Sequence, residues 1–326
     1  MPLTKFKIDH RYLSIFCLSF IVLSLQVILC LLLDAIAYLP FFAISFAFLG
    51  LTLAGVYSYI KYYQQPPDAL ALPRTRQLLI GGVQIILSIV ILYLYNQFAI
   101  DIIEKIFAGQ VKTTLNFLKI HIFICSILAG GLFSISFFQF GVVICLLYKN
   151  NSDQGPEFYL FDLCGAACGC VFAVVILNLL QVGSVLILLS MAAFALAWIL
   201  TRDSARKLAC NVSLILLLGS AILFFTNIHT GMLEMKFNPR LMTGAQDSQE
   251  LWSKWNIYSR VGLYKFRNSN RDPYKYKFIL NFNSGNIHFL PFDPGNPFQL
   301  RLYDGFSPPM LAFLLKEPRN ILILFA

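Results

Sequence analysis

Residues 159–180 read YLFDLCGAACGCVFAVVILNLL, an apolar run of membrane length with one carboxylate near its start. About 20 apolar residues suffice for a helix to cross the hydrocarbon of a bilayer. On a helix, Asp162, Gly165 and Gly169 stand at i, i+3 and i+7 and share one face. Gly165 and Gly169 form a G-x-x-x-G pair with Ala166 and Ala167 between them, which lets a second helix come close to the backbone. A carboxylate is costly to hold in lipid, so Asp162 is expected to face protein or water, near one membrane boundary and hydrogen-bonded. Two readings follow: a packing helix with its acid at the interface, or an intramembrane functional site. Small-xxx-small stripes are common in bundles, which favours the first.

Composition points the same way. Of 326 residues, 58% are hydrophobic and 13% charged, half the charged share of soluble domains, and the mean hydropathy is +0.71. Residues 1–226 carry 13 Lys+Arg and 9 Asp+Glu, mostly between long apolar runs, whereas residues 227–326 carry 12 and 7 without a membrane-length run. The expected fold is therefore an all-α polytopic membrane bundle of about seven transmembrane helices over 1–226. A linker at 227–250, a β-hairpin region at 251–318 and a single strand at 319–326 follow. The net charge of +9 lies mostly in loops, with no dense Lys/Arg block, which argues for topology and against nucleic acid as a partner.

The apolar runs fall at 12–33, 38–60, 77–100, 115–148, 159–180, 182–200 and 208–225. The first is longer than the apolar core of a signal peptide and is followed by no small-residue cleavage site, so it reads as a retained span. Residues 101–115 read as a short interfacial helix or loop, and Gly130-Gly131 as a place where the long fourth run kinks. With the N-terminus inside, the inner segments hold Lys5, Lys7, Arg11, Lys61, Arg74, Arg76, Lys149, Arg202, Arg206 and Lys207, against Lys105 and Lys112 in the short outer loops. That asymmetry orients the bundle with a cytoplasmic N-terminus, and an odd number of spans puts the tail on the opposite face. The length of the fourth run leaves room for one further crossing.

All eight cysteines lie in apolar runs, and Cys164, Cys168 and Cys170 lack both C-x-x-C spacing and a nearby histidine. They read as buried small thiols rather than as a metal site. In the tail, YKYKFILNF at 274–282 alternates Tyr274, Tyr276, Phe278, Leu280 and Phe282 against Lys275, Lys277, Ile279 and Asn281, the pattern of a half-buried strand. Asn283-Ser284-Gly285 supplies turn chemistry, and 286–292 returns as the second strand of a hairpin. Residues 308–315 read as a short helix and NILILF at 320–325 as a strand apolar on both faces.

Two patterns carry a resemblance. D-L-x-G-A-x-x-G is met by Asp162, Leu163, Gly165, Ala166 and Gly169, and W-N-x-x-S-R-V by Trp255, Asn256, Ser259, Arg260 and Val261. With the hairpin, EPRNILILFA at 317–326, and Phe137-Phe138 and Gly141 in the preceding span, the chain resembles the membrane-bound members of the spermidine synthase-like family. These carry a multi-span region ahead of a Rossmann-like catalytic domain. The resemblance implies transfer of an aminopropyl group from a decarboxylated adenosylmethionine-type donor to a polyamine in a complete member, in a bacterial inner membrane. It further implies a Gly-rich cofactor loop directly after a strand like 320–325, an acid for the ribose and a later catalytic Asp. Residues 1–326 contain none of these, so the expectation is an incomplete Rossmann-like domain without catalytic, cofactor-binding or metal residues of its own. The chain would be a truncated product or be completed by a second polypeptide, with a homo-oligomer through the hairpin as a further expected contact. The alternative is a transporter-like or binding bundle, favoured by Asp162, Gln139, Asn178 and Gln181, with the tail as an assembly element. A cytoplasmic adenosyl donor conflicts with a tail on the outer face; the two expectations pull apart.

Overall fold

A computed structural model describes residues 10–37, 40–106, 111–202, 207–233, 248–255, 260–267, 276–282 and 285–289. Seven helices follow in order: α1 His10–Ala37, α2 Pro40–Tyr62, α3 Ala71–Ile106, α4 Val111–Asn150, α5 Gly155–Leu177, α6 Val182–Arg202 and α7 Lys207–Thr230. Each includes a stretch long and apolar enough to cross a membrane, and the protein is a multi-pass membrane protein. The fourth run forms one helix, so no extra crossing hides in it. The chain thus alternates ends seven times, and the end where α1 begins is opposite to the end where α7 finishes.

Helices α1, α2, α4, α3 and α6 pack in that order into a closed ring, in which α1 also touches α4. Helix α5 lies outside against α1, and α7 outside against α6. Lipid tails are as apolar as leucine, so burial alone cannot hold such helices together; close packing and interhelical hydrogen bonds must. The phenylalanines Phe133, Phe137 and Phe140 of α4 and Phe194 of α6 are fully buried. Gly81 and Gly82 of α3 make room for two of these rings. A Cβ built on either would stand 2.6 Å from Phe140 or Phe194 respectively. Ser190 of α6 adds a buried hydrogen bond of 2.7 Å to the Gly82 carbonyl.

Two sequence expectations need correction. Residues 101–115 are not a separate interfacial element: α3 runs to Ile106 and α4 starts at Val111. At about 1.5 Å per residue these helices are roughly 54 and 60 Å long, well beyond the hydrocarbon. A helix leaving the hydrocarbon loses its lipid contact without losing its backbone hydrogen bonds. Helix α4 runs on through Gly130-Gly131, and the Phe46 ring of α2 seats on Gly130. The expected linker at 227–250 is shorter at both ends, since α7 continues to Thr230 and a strand begins at Ser248.

Beyond α7 stands a four-stranded antiparallel sheet in the order β1 Ser248–Trp255, β2 Arg260–Arg267, β3 Tyr276–Phe282 and β4 Gly285–Phe289. The hairpin read from YKYKFILNF is β3–β4, with Phe282 opposite Gly285 and two residues between them. The first hairpin, β1–β2, pairs Trp255 with Arg260 and carries a bulge between Glu250 and Trp252. The remainder of the expected return strand beyond Phe289, the short helix at 308–315 and the strand at 320–325 lie outside the described residues, as does the Rossmann-like continuation.

Candidate functional site

Two places gather the residues singled out by sequence. The first is the contact of α5 with α1. Helix α5 opens with Pro156 in its first turn, where a missing N–H costs nothing, and with Glu157, whose charge suits a helix N-terminus. The Tyr12 hydroxyl donates to Glu157 Oε2 at 2.6 Å and lies 3.0 Å from Gln154 Oε1, while its ring stacks on Phe161 at 4.8 Å. One turn deeper, Asp162 accepts from two other helices. Ser19 Oγ of α1 donates to Oδ1, and Tyr148 Oη of α4 donates to Oδ2 at 2.7 Å. The Tyr148 ring meets Phe158 edge-on at 5.1 Å, which fixes its hydroxyl toward the carboxylate.

Below Asp162 the two glycines face α1. Both are buried, and a Cβ on Gly165 would stand 2.9 Å from the backbone carbon and Cα of Phe16. On Gly169 it would stand 2.5 Å from the Phe20 carbonyl oxygen. The glycines are four residues apart, as are Phe16 and Phe20, so backbone meets backbone twice. Ser24 Oγ then donates to the Gly169 carbonyl at 2.9 Å, a fully buried bond. Periodicity alone did not identify Tyr12, Ser19 and Ser24 as partners. Their signal was the presence of hydroxyls inside an otherwise apolar first span.

Both Asp162 oxygens are thus satisfied by neutral hydroxyls, and the arrangement ties three helices near the end where α1 begins. Replacing Asp162 by Ala strands two hydroxyls, at a cost of about 1–3 kcal/mol. We expect a lower unfolding midpoint in detergent for Asp162→Ala and a smaller loss for Tyr148→Phe, which leaves Ser19 in place. Equal midpoints for Asp162→Ala and the native chain would remove the tie. Cys164 and Cys168 are exposed on the lipid side of α5, not buried as expected, and Cys170 is half-buried. No group of three potential metal ligands occurs among the described residues.

The second place is the junction of bundle and sheet. Trp255, the last residue of β1, is 6% exposed and packs into the main core with Leu32 of α1, Ile89 of α3 and Val182 of α6. The chain leaving α7 turns at Gly231, whose φ of 61° is a left-handed cap that favours glycine. Asn227, 1% exposed, holds that turn: its Nδ2 donates to Ser184 Oγ at 2.9 Å, and its Oδ1 accepts from the Leu233 N–H at 2.7 Å. Leu233 and Gly183 then line the contact with Trp255. Of the remaining pattern residues, Arg260 starts β2, while Asn256 and Ser259 lie outside the described residues. The structure therefore brings Asp162, Gly165 and Gly169 to one seam and Trp255 to another, at opposite ends of the bundle.

Comparison of the chain with protein-family models, curated proteins and solved structures returns no match.

Proposed function

We propose that this chain is the membrane-embedded portion of a spermidine synthase-like protein, a helical scaffold that holds an antiparallel sheet at one face of the membrane. One observation supports this reading. Trp255, which opens the W-N-x-x-S-R-V pattern, seats in the end of the bundle while the pattern leads from β1 into β2. A sheet anchored in this way suits a protein whose soluble part works against its membrane part. In the complete system an aminopropyl group passes from the sulfonium of an adenosyl donor to a polyamine amine, releasing methylthioadenosine and a proton. In a complete member the donor site belongs to a Rossmann-like domain that follows a strand like 320–325. The scaffold sits in a bacterial inner membrane, and the Lys/Arg asymmetry favours residue 10 on the cytoplasmic side. With seven crossings that puts the sheet on the opposite face, away from a cytoplasmic adenosyl donor, so the side on which the sheet is labelled tests the family reading as well.

The test is an assay of methylthioadenosine release from decarboxylated adenosylmethionine with a polyamine acceptor. Material affinity-purified on this chain from native membranes is expected to release it. The chain of residues 1–326 purified alone is expected to release none and to bind no adenosyl donor in calorimetry. Absence of release from the native material would sink the family reading, and saturable binding by the chain alone would move the donor site into it. A transporter-like bundle is the second reading, favoured by a carboxylate held inside a span by hydroxyls of two other helices. It requires that Asp162→Asn abolish substrate uptake in proteoliposomes while the fold survives.

A further inference from the structure

We propose that Lys61 and Arg76, at the corner between α2 and α3, bind the phosphate of an anionic phospholipid. The corner is made by two adjacent prolines, Pro66 and Pro67, and the short 3-10 helix Pro67–Leu70. It lies at the end of the bundle where α1 begins. Tyr59 and Tyr63, 66% and 64% exposed, pack on each other with ring centroids 4.9 Å apart and face outward there. Exposed tyrosines at a span's end mark the headgroup level, where lipid phosphates lie.

At that level the Lys61 ammonium is held in place. It donates to Tyr57 Oη at 2.6 Å and stands 5.0 and 5.7 Å from the ring centroids of Tyr57 and Tyr62. Arg76, in the second turn of α3, is exposed and flanks the same corner from the other helix. Two cations from different helices repel each other unless an anion lies between them, and no described carboxylate is hydrogen-bonded to either. The helix end is not a competitor for the ligand. The last carbonyls of α2 would present partial negative charge here. Lys149 of α4 stands at that end, donating to the carbonyl of Tyr62, the last residue of α2, and to those of Tyr63 at 2.8 Å and Gln65 at 2.7 Å just beyond it. A third cation thus neutralises the helix end and leaves Lys61 and Arg76 for a ligand. Basic pockets between spans at the headgroup level take such anionic heads.

Native mass spectrometry of the full chain in detergent, titrated with phosphatidylglycerol or phosphatidylcholine, tests the site. The native chain is expected to retain phosphatidylglycerol selectively. The double variant Lys61→Gln/Arg76→Gln is expected to bind it about 30-fold more weakly, from two cations near the lipid surface. If the double variant fails to fold, Arg76→Gln alone is expected to lose about fivefold. Unchanged binding in the variants overturns the proposal. So does an equal loss in Lys207→Gln, an exposed cation at the same end of the bundle, because binding would then follow net charge. Displacement of the lipid by millimolar inorganic phosphate would assign the site to a soluble anion and overturn the lipid assignment.

Discussion

Gly165→Leu is expected to prevent α5 from docking on α1 and to leave little folded protein. Even the first added carbon, the Cβ, falls within 2.9 Å of the Phe16 backbone, and no side-chain rotation can move a carbonyl aside. Overpacking usually costs about 1–3 kcal/mol and occasionally more. Here relief requires moving one helix from another, which also breaks the Ser24 bond to Gly169 and draws Asp162 away from Ser19 and Tyr148. We expect a loss above about 3 kcal/mol, a factor of more than 100 in the folded population. Val171→Leu is the matched control, because Val171 is 65% exposed to lipid on the same helix. Folded yield and unfolding midpoint in detergent decide: a Gly165→Leu midpoint equal to that of Val171→Leu would mean that the two backbones do not meet.

The second large effect is expected at Trp255. Truncating a buried tryptophan to alanine typically costs about 3–5 kcal/mol. Trp255 joins two units, so the loss should appear as detachment rather than as global unfolding. The bundle keeps its own contacts among Leu32, Ile89 and Val182, while the sheet loses its seat. Limited proteolysis of Trp255→Ala is expected to cut between 230 and 248 many times faster than in the native chain. The midpoint of the bundle should change little. Trp255→Phe, which still fills most of the space, should restore much of the protection. Identical cleavage of the native chain and Trp255→Ala would show that the sheet is held by something else.

Much of the architecture was legible because lipid imposes a simple rule. A run of some 20 apolar residues has few alternatives to a span, and each expected run contains a helix. The errors have local causes. Asp101, Glu104, Lys105 and Lys112 looked like a loop, but a helix leaving the hydrocarbon can carry charges without stopping. Asn227, His229 and Thr230 looked like the start of a linker, yet Asn227 is the buried cap that turns the chain back over α6. In β1 the bulge between Glu250 and Trp252 resets the alternation, which hides the strand period of that segment.

At the candidate sites, one half of each contact was readable. The small stripe of Gly165 and Gly169 announces a close neighbour, but periodicity on α5 cannot say which helix it is. That choice is made by Ser19, Ser24 and Tyr12, whose hydroxyls bond to Asp162, to the Gly169 carbonyl and to Glu157. Trp255 was singled out as part of a motif. Its seat depends on Leu32, Ile89, Val182 and Leu233, scattered over four segments with no pattern linking them.

The α4–α5 corner and the sheet stand at opposite ends of the seven-helix bundle. Ser152, exposed between α4 and α5, lies at the end where α1 begins, and Lys254, exposed in β1, lies beside Trp255 at the other. In a cysteine-free background, Ser152→Cys and Lys254→Cys can each be probed with a membrane-impermeant maleimide in sealed vesicles. The expected result is labelling of the two positions from opposite sides. Labelling of both from the same side would contradict the seven-span arrangement and the docking of the sheet with it.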